Sequence, residues 1–164
     1  MARKAASGPT TPATLALERA GVEFTRHPYT HDPAAGGYGL EAAGALGLDP
    51  AQVLKTLLVD TGGGLAVAVV PVTGHLDLKA TALALGVKAV VMADPAAAER
   101  SSGYVVGGIS PLGQKRSLPT VIDESAFAHD VVYVSGGRRG FDVGLSPTDL
   151  ERVTGATRAP VARA

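Results

Sequence analysis

Val53-Leu-Lys-Thr-Leu-Leu-Val-Asp60, Thr61-Gly-Gly-Gly64 and Leu65-Ala-Val-Ala-Val-Val-Pro71 form the stretch that decides the fold. Two apolar runs joined by a glycine turn read as an antiparallel hairpin. Side chains alternate along a strand, so Leu54, Thr56 and Leu58 share one face, and Val53, Lys55, Leu57 and Val59 the other. Both faces are apolar apart from Lys55, the pattern of a strand covered on both sides. Burying an ammonium is costly unless something pairs with it. Lys55 therefore either snorkels to water from the strand's start or serves as a fixed cation for a ligand.

Outward from this hairpin, turn and cap residues punctuate the chain. Thr11-Pro12 opens a helix that Gly21 closes, and Val22 to Tyr29 alternates like a strand. A glycine-rich loop, residues 31–39, leads to a short helix ending near Gly47, and Asp49-Pro50 caps a single turn. Beyond the hairpin, Asp77 caps a helix ending at Gly86, Lys88 to Met92 reads as a strand, and Asp94-Pro95 starts a helix to about Ser101. Strands are predicted near Thr120–Ile122, at Val131–Val134 and at Phe141–Leu145, the last two joined by a turn from Ser135 to Gly140. Ser146-Pro147 caps a final helix that ends at Gly155. Short strands mixed with short helices argue an α+β fold. The expectation is a single domain over residues 11–160, preceded by a flexible tail (1–10). Its twisted sheet should be mixed, mostly antiparallel and barrel-like, surrounded by short helices.

Composition narrows the function. With 46% hydrophobic and 18% charged residues the chain can build a core. Aromatics are only 4%, so that core must rest on aliphatic side chains. The absence of cysteine removes disulfides, thiolate metal sites and a cysteine nucleophile. No apolar run is long enough for a membrane span, and the first residues lack the apolar segment of a secretory signal, so a cytoplasmic location follows by default. His27 and His31 have the spacing of a helical zinc pair, but Pro28 and Pro33 argue against a helix there. Neither a metal nor another cofactor is expected. Fifteen basic and fifteen acidic residues cancel, so any nucleic acid must meet a local patch or be delivered by another protein.

Several positions are candidates for chemistry. Gly107-Gly-Ile-Ser-Pro-Leu-Gly-Gln-Lys115 concentrates residues whose backbone N–H groups can face a ligand, although a tight structural turn explains it as well. It has neither the P-loop nor the dinucleotide spacing, and Ser110 is not a nucleophile-elbow serine. Asp142 sits between Gly140 and Gly144, which leave room for a ligand, or it is an ordinary solvent-facing strand residue. Lys115-Arg116 and Arg138-Arg139 adjoin glycine turns and are candidate phosphate contacts or solvated surface charge. No strong nucleophile is visible. Any hydrolysis should rest on positioning, electrostatics or a group supplied by the substrate.

Taken in order, Val53–Val59, Gly74-His-Leu-Asp-Leu-Lys79, Met92-Ala-Asp-Pro95, Gly103-Tyr-Val-Val-Gly-Gly-Ile-Ser-Pro-Leu-Gly-Gln-Lys115, Leu118-Pro-Thr120 and Tyr133-Val-Ser-Gly-Gly-Arg-Arg-Gly140 resemble the YbaK-type Cys-tRNA(Pro) deacylases. The resemblance runs from about Thr11 to Ala159. It implies a trans-editing enzyme that removes cysteine from mischarged proline tRNA, with the substrate's own thiol attacking the ester. Such a second sieve is needed because an apolar pocket rejects a similar-sized amino acid poorly. Position by position it implies that Lys55 is the essential pocket lysine, followed by Thr56. Tyr29 and Asp142 are the pocket tyrosine and aspartate, and the Gly107–Gly108 backbone contacts the substrate. Ser135 begins the Ser-Gly-Gly turn. Tyr38 stands where the family commonly has phenylalanine, and Gly37 where it often has asparagine. Ile109 and Ser110 join the expected substrate-binding set, with Lys115, Arg138 and Arg139. The implied partners are cysteine-charged tRNA(Pro) and prolyl-tRNA synthetase as recruiter, with no membrane, the protein being a monomer or weak dimer. Editing of alanyl-tRNA(Pro), a non-catalytic tRNA-binding module and a small-molecule hydrolase stay open on the residues alone.

Overall fold

Helix boundaries fall where the capping residues place them. In the computed structural model, which describes residues 8–34 and 37–164, the Thr11 hydroxyl accepts from Thr14 N to start α1 (Pro12–Arg19). The chain then forms β1 (Thr25–Pro28), α2 (Tyr38–Leu46), β2 (Leu54–Asp60), β3 (Leu65–Pro71), β4 (His75–Leu76) and α3 (Leu78–Leu85). There follow β5 (Val91–Met92), α4 (Pro95–Ser102), β6 (Thr120–Asp123), β7 (Val132–Arg138), β8 (Phe141–Leu145), α5 (Pro147–Thr154), β9 (Thr157–Ala159) and β10 (Ala162–Arg163). Aspartates 77 and 94 and Ser146 cap α3, α4 and α5 as read from sequence.

The predicted hairpin pairs β2 with β3 from Leu54↔Pro71 to Asp60↔Leu65. It is the centre of a five-stranded sheet of order β5-β2-β3-β6-β9, antiparallel on the β5 side and parallel from β3 to β9. A second, antiparallel sheet has the order β1-β8-β7, and β4 pairs with β10. A single parallel bridge, Val53↔Tyr133, joins the two larger sheets. The fold is α+β, with the largest apolar cluster between the sheets, and the strands do not close into a barrel. Leu17, Leu54, Leu58, Val67, Val69, Ile122, Val134, Phe141 and Leu150 fill the space between the sheets and the helices. Their burial is the main stabilising term.

Three predicted elements change extent. The strand over 22–29 shortens to β1, because Val22 turns into the core while its neighbours stay off the ladder. The strand over 88–92 shrinks to β5, which pairs with β2 only at Val59 and Asp60. The predicted turn from Ser135 instead continues β7 to Arg138 through a bulge, and only Arg139-Gly140 turns the chain. Glycine is required inside that bulge: a Cβ at Gly136 would lie 2.4 Å from the Phe141 ring, and Gly137 has φ +109°. Residues 1–7 of the predicted tail lie outside the described residues.

The chain's last residues are tied down by one carboxylate. Asp123 Oδ1 accepts from Val161 N at 2.9 Å and Ala162 N at 2.8 Å, while Oδ2 accepts from Ser125. Asp123 is buried, so Asp123→Ala leaves amides unsatisfied and should cost about 3 kcal/mol. A urea-denaturation midpoint unchanged from wild type would refute this.

Candidate active site

The candidate residues meet at the seam between the two large sheets. Beyond Val59 the β5 ladder ends, so the first half of β2 is left open on that edge. A cavity of about 400 Å³ opens there, within the range of small-ligand sites. Lys55 and Thr56 of β2, Tyr29 after β1, Tyr38 of α2, Gly107 and Ile109 of the glycine loop, Ser135 of β7 and Asp142 of β8 all line it. Tyr29 is held at its place by its N–H donating to Gly140 O at 2.9 Å. Ser135 and Asp142 are directly opposed in the β7–β8 register.

Lys55 is half-buried, and no ion pair among the described residues involves it. The Thr56 hydroxyl is buried with no hydrogen-bond partner among the described residues. Asp142 is 6% exposed, so it is not a solvent-facing strand residue. Burial raises its carboxyl to about 7. Burial first, and the Asp142 charge second, push the Tyr29 phenol to about 12, so it remains a hydrogen-bond donor at neutral pH.

The raised Asp142 value sets a pH dependence of stability. The folded protein holds this proton more tightly than the unfolded chain, whose value is 3.8, so stability falls as pH rises from about 4 to about 7 and then levels. At about 1.4 kcal/mol per unit of displacement the loss is bounded at roughly 4 kcal/mol. Asp142→Asn should therefore match wild type in thermal stability near pH 4 and exceed it progressively towards pH 8. Melting curves across that interval check the sign, and an advantage that shrank with pH would contradict it.

The wall above the cavity is a turn in which Gly108 N donates to Val105 O at 2.9 Å. Gly107, third residue of the turn, has φ +90°, the type II form that needs glycine. This corrects the expectation for Gly108: its N–H is spent closing the turn, and Gly108 does not line the cavity. The N–H of Gly107 has no backbone acceptor among the described residues. Ser110 is fully buried outside the cavity lining, its hydroxyl accepting from Leu112 N. Arg138 is exposed and away from the cavity. Arg139 lies over the Tyr38 ring at 5.2 Å and donates through Nε and Nη2 to Val106 O. Lys115 lines a separate groove with Arg100 and Arg116, on the other side of α4.

Sequence reading missed most of the apolar lining. Leu40, Met92 and Val106 are exposed around the cavity, as is Pro95, with Leu54, Leu58, Val72 and Ala98 deeper. It also missed Glu41, which accepts from Asp32 N and lies 2.9 Å from His31 Nδ1, bracing the loop between Tyr29 and Tyr38. The Asp32 amide, then His31, hold the Glu41 carboxyl below its usual range. The pairing partner ten residues away leaves no local pattern, whereas exposed large apolar residues would have been the signal for the rim.

A cavity that offers a cation, a buried carboxylate and an unpaired glycine amide suits an aminoacyl ester. The sequence pattern of the aminoacyl-tRNA editing domain matches residues 36–153. A protein of Enterococcus faecalis named as a Cys-tRNA(Pro)/Cys-tRNA(Cys) deacylase, EbsC, is 37% identical over 120 residues, 73% of each chain. A crystal structure titled as a trans-editing enzyme for prolyl tRNA synthetase superposes with a TM-score of 0.80 at 25% identity, covering 96% of this chain and all of that one. Another, of a hypothetical protein, gives 0.84 at 25% identity over 93% of this chain and all of that one. The chain belongs to the aminoacyl-tRNA editing-domain family, and it is an aminoacyl-tRNA deacylase.

Proposed function

We propose that the protein clears cysteine from mischarged tRNA(Pro) and that the substrate's thiol is the attacking group. The observation that carries this reading is a cavity furnished with Lys55, Thr56, Gly107 N–H and Asp142 in a chain without cysteine. Ser135 is the serine lining it, and that hydroxyl accepts from Gly137 N rather than sitting against a histidine base. The relative named for Cys-tRNA(Pro) and Cys-tRNA(Cys) supports the choice of amino acid.

In this mechanism Asp142 and Lys55 hold opposite ends of the aminoacyl-adenosine group. The sulfur forms a bond to the ester carbonyl carbon and the carbon–oxygen bond to the ribose breaks. The thiol proton passes to the departing ribose oxygen, leaving a four-membered thiolactone that water opens to cysteine. Gly107 N–H donates to the carbonyl oxygen as it gains charge, a contribution of about 3 kcal/mol. Confinement makes the attack intramolecular, which lowers the barrier further. Lys115 and Arg138 are the proposed phosphate contacts. A formal charge of zero fits weak tRNA binding with recruitment by prolyl-tRNA synthetase in the cytoplasm.

The test is a deacylation assay on Cys-, Ala- and Ser-tRNA(Pro). Turnover of the cysteinyl ester alone is expected, because neither a methyl nor a hydroxyl can replace the thiol. Comparable turnover of alanyl-tRNA(Pro) would eliminate the thiol-assisted route.

A further inference from the structure

We infer that Arg139 is a positioning residue that orients the peptide unit carrying the Gly107 N–H. The inference rests on the proposed role of that N–H and assigns what aims it. Residues 105–108 form a type II turn, whose central peptide joins Val106 C=O to Gly107 N–H. Type I and type II turns differ by a flip of this peptide, and Gly107, which tolerates either sign of φ, opposes a flip least.

Each peptide of the turn is held by a different grip. Val106 N donates to Glu99 Oε2 at 2.8 Å, fixing the first. Gly108 N donates to Val105 O, fixing the third. Among the described residues the central peptide is gripped at its carbonyl alone, where Arg139 Nε and Nη2 donate at 2.9 and 2.6 Å. In a trans peptide the C=O and N–H point in opposite directions. Clamping the carbonyl on the guanidinium side therefore drives the Gly107 N–H to the other side. A cationic donor on the carbonyl also strengthens the N–H as a donor. Tyr38 backs the clamp: the guanidinium carbon lies over its ring, 5.2 Å from the centre, and a Cβ at Gly107 would lie 2.7 Å from ring atoms and 2.8 Å from Arg139 Nε.

A phosphate-contact role for Arg139 makes a different forecast. Losing a phosphate contact weakens binding, whereas losing a clamp slows the chemical step. Single-turnover deacylation of Cys-tRNA(Pro) by Arg139→Ala should show a saturating rate lowered about 10- to 100-fold, with a half-saturating enzyme concentration within about two-fold of wild type. Arg139→Lys, which keeps the charge but not the two-pronged fork, should recover only part of the rate. NMR provides a readout independent of activity. Wild type should give the strong Val106 Hα–Gly107 HN contact of a type II turn, and Arg139→Ala should lose it. An unchanged saturating rate with weakened binding, or an undisturbed type II signature in Arg139→Ala, overturns the inference. Wild type that failed on Cys-tRNA(Pro) would instead remove the proposed substrate, and the turn signature would still decide the clamp.

Discussion

Lys55→Ala is expected to lower single-turnover deacylation of Cys-tRNA(Pro) by about 10²- to 10³-fold or more while the protein folds and melts much as wild type does. The reason lies in where the lysine stands. Among the described residues its half of β2 has no ladder partner on the cavity edge and no carboxylate forms an ion pair with it, so its charge is free for substrate. Removing a half-buried cation with no internal partner relieves desolvation rather than breaking a bond, so stability should hold or rise slightly. Arginine is a poor replacement because its planar fork needs a different geometry. Retention of the full rate by Lys55→Ala, with normal folding, would show that the cavity's cation takes no part in the reaction.

Gly107→Ala should be the next most damaging single change. Two independent penalties coincide there. The backbone sits at φ +90°, where an L side chain costs on the order of 1–2 kcal/mol, and the added methyl would press on Tyr38 and Arg139. Arg139 cannot yield without loosening its grip on Val106 O, and Tyr38 lies beneath its guanidinium. Relief comes from moving the turn, which misdirects the amide. A rate loss of about 10²-fold is expected, with a modest drop in melting temperature. An alanine variant with wild-type turnover would mean that the Gly107 amide does not meet the reacting carbonyl.

Local chemistry made much of this protein legible. Caps at Thr11, Asp77, Asp94 and Ser146 fix helix starts by hydrogen bonds within three residues, and the β2–β3 hairpin is announced by its own glycine turn. What escaped is what depends on distant partners. The strands β4, β9 and β10 are two or three residues long and exist through partners distant in sequence: β9 adds to β6, and β4 and β10 pair with each other. The same holds within the site. The glycines beside Asp142 revealed room, but not that the carboxylate would be enclosed. The loop at 107–108 announced free amides, yet the closing bond of the turn leaves only the first of the two without a backbone partner. Arg139 looked like a surface cation because the carbonyl it grips is thirty-three residues earlier.

The pairing of β1 with β8 has a further consequence for how the enzyme comes into being. Tyr29 and Asp142 are brought together by strands more than a hundred positions apart in the chain, a closure that is entropically late. During synthesis the helices and the central hairpin can take shape while the proposed catalytic chamber does not yet exist. A truncated or partly destabilised chain would keep much of its secondary structure and have no activity, so a circular-dichroism spectrum of such a species would overstate its competence.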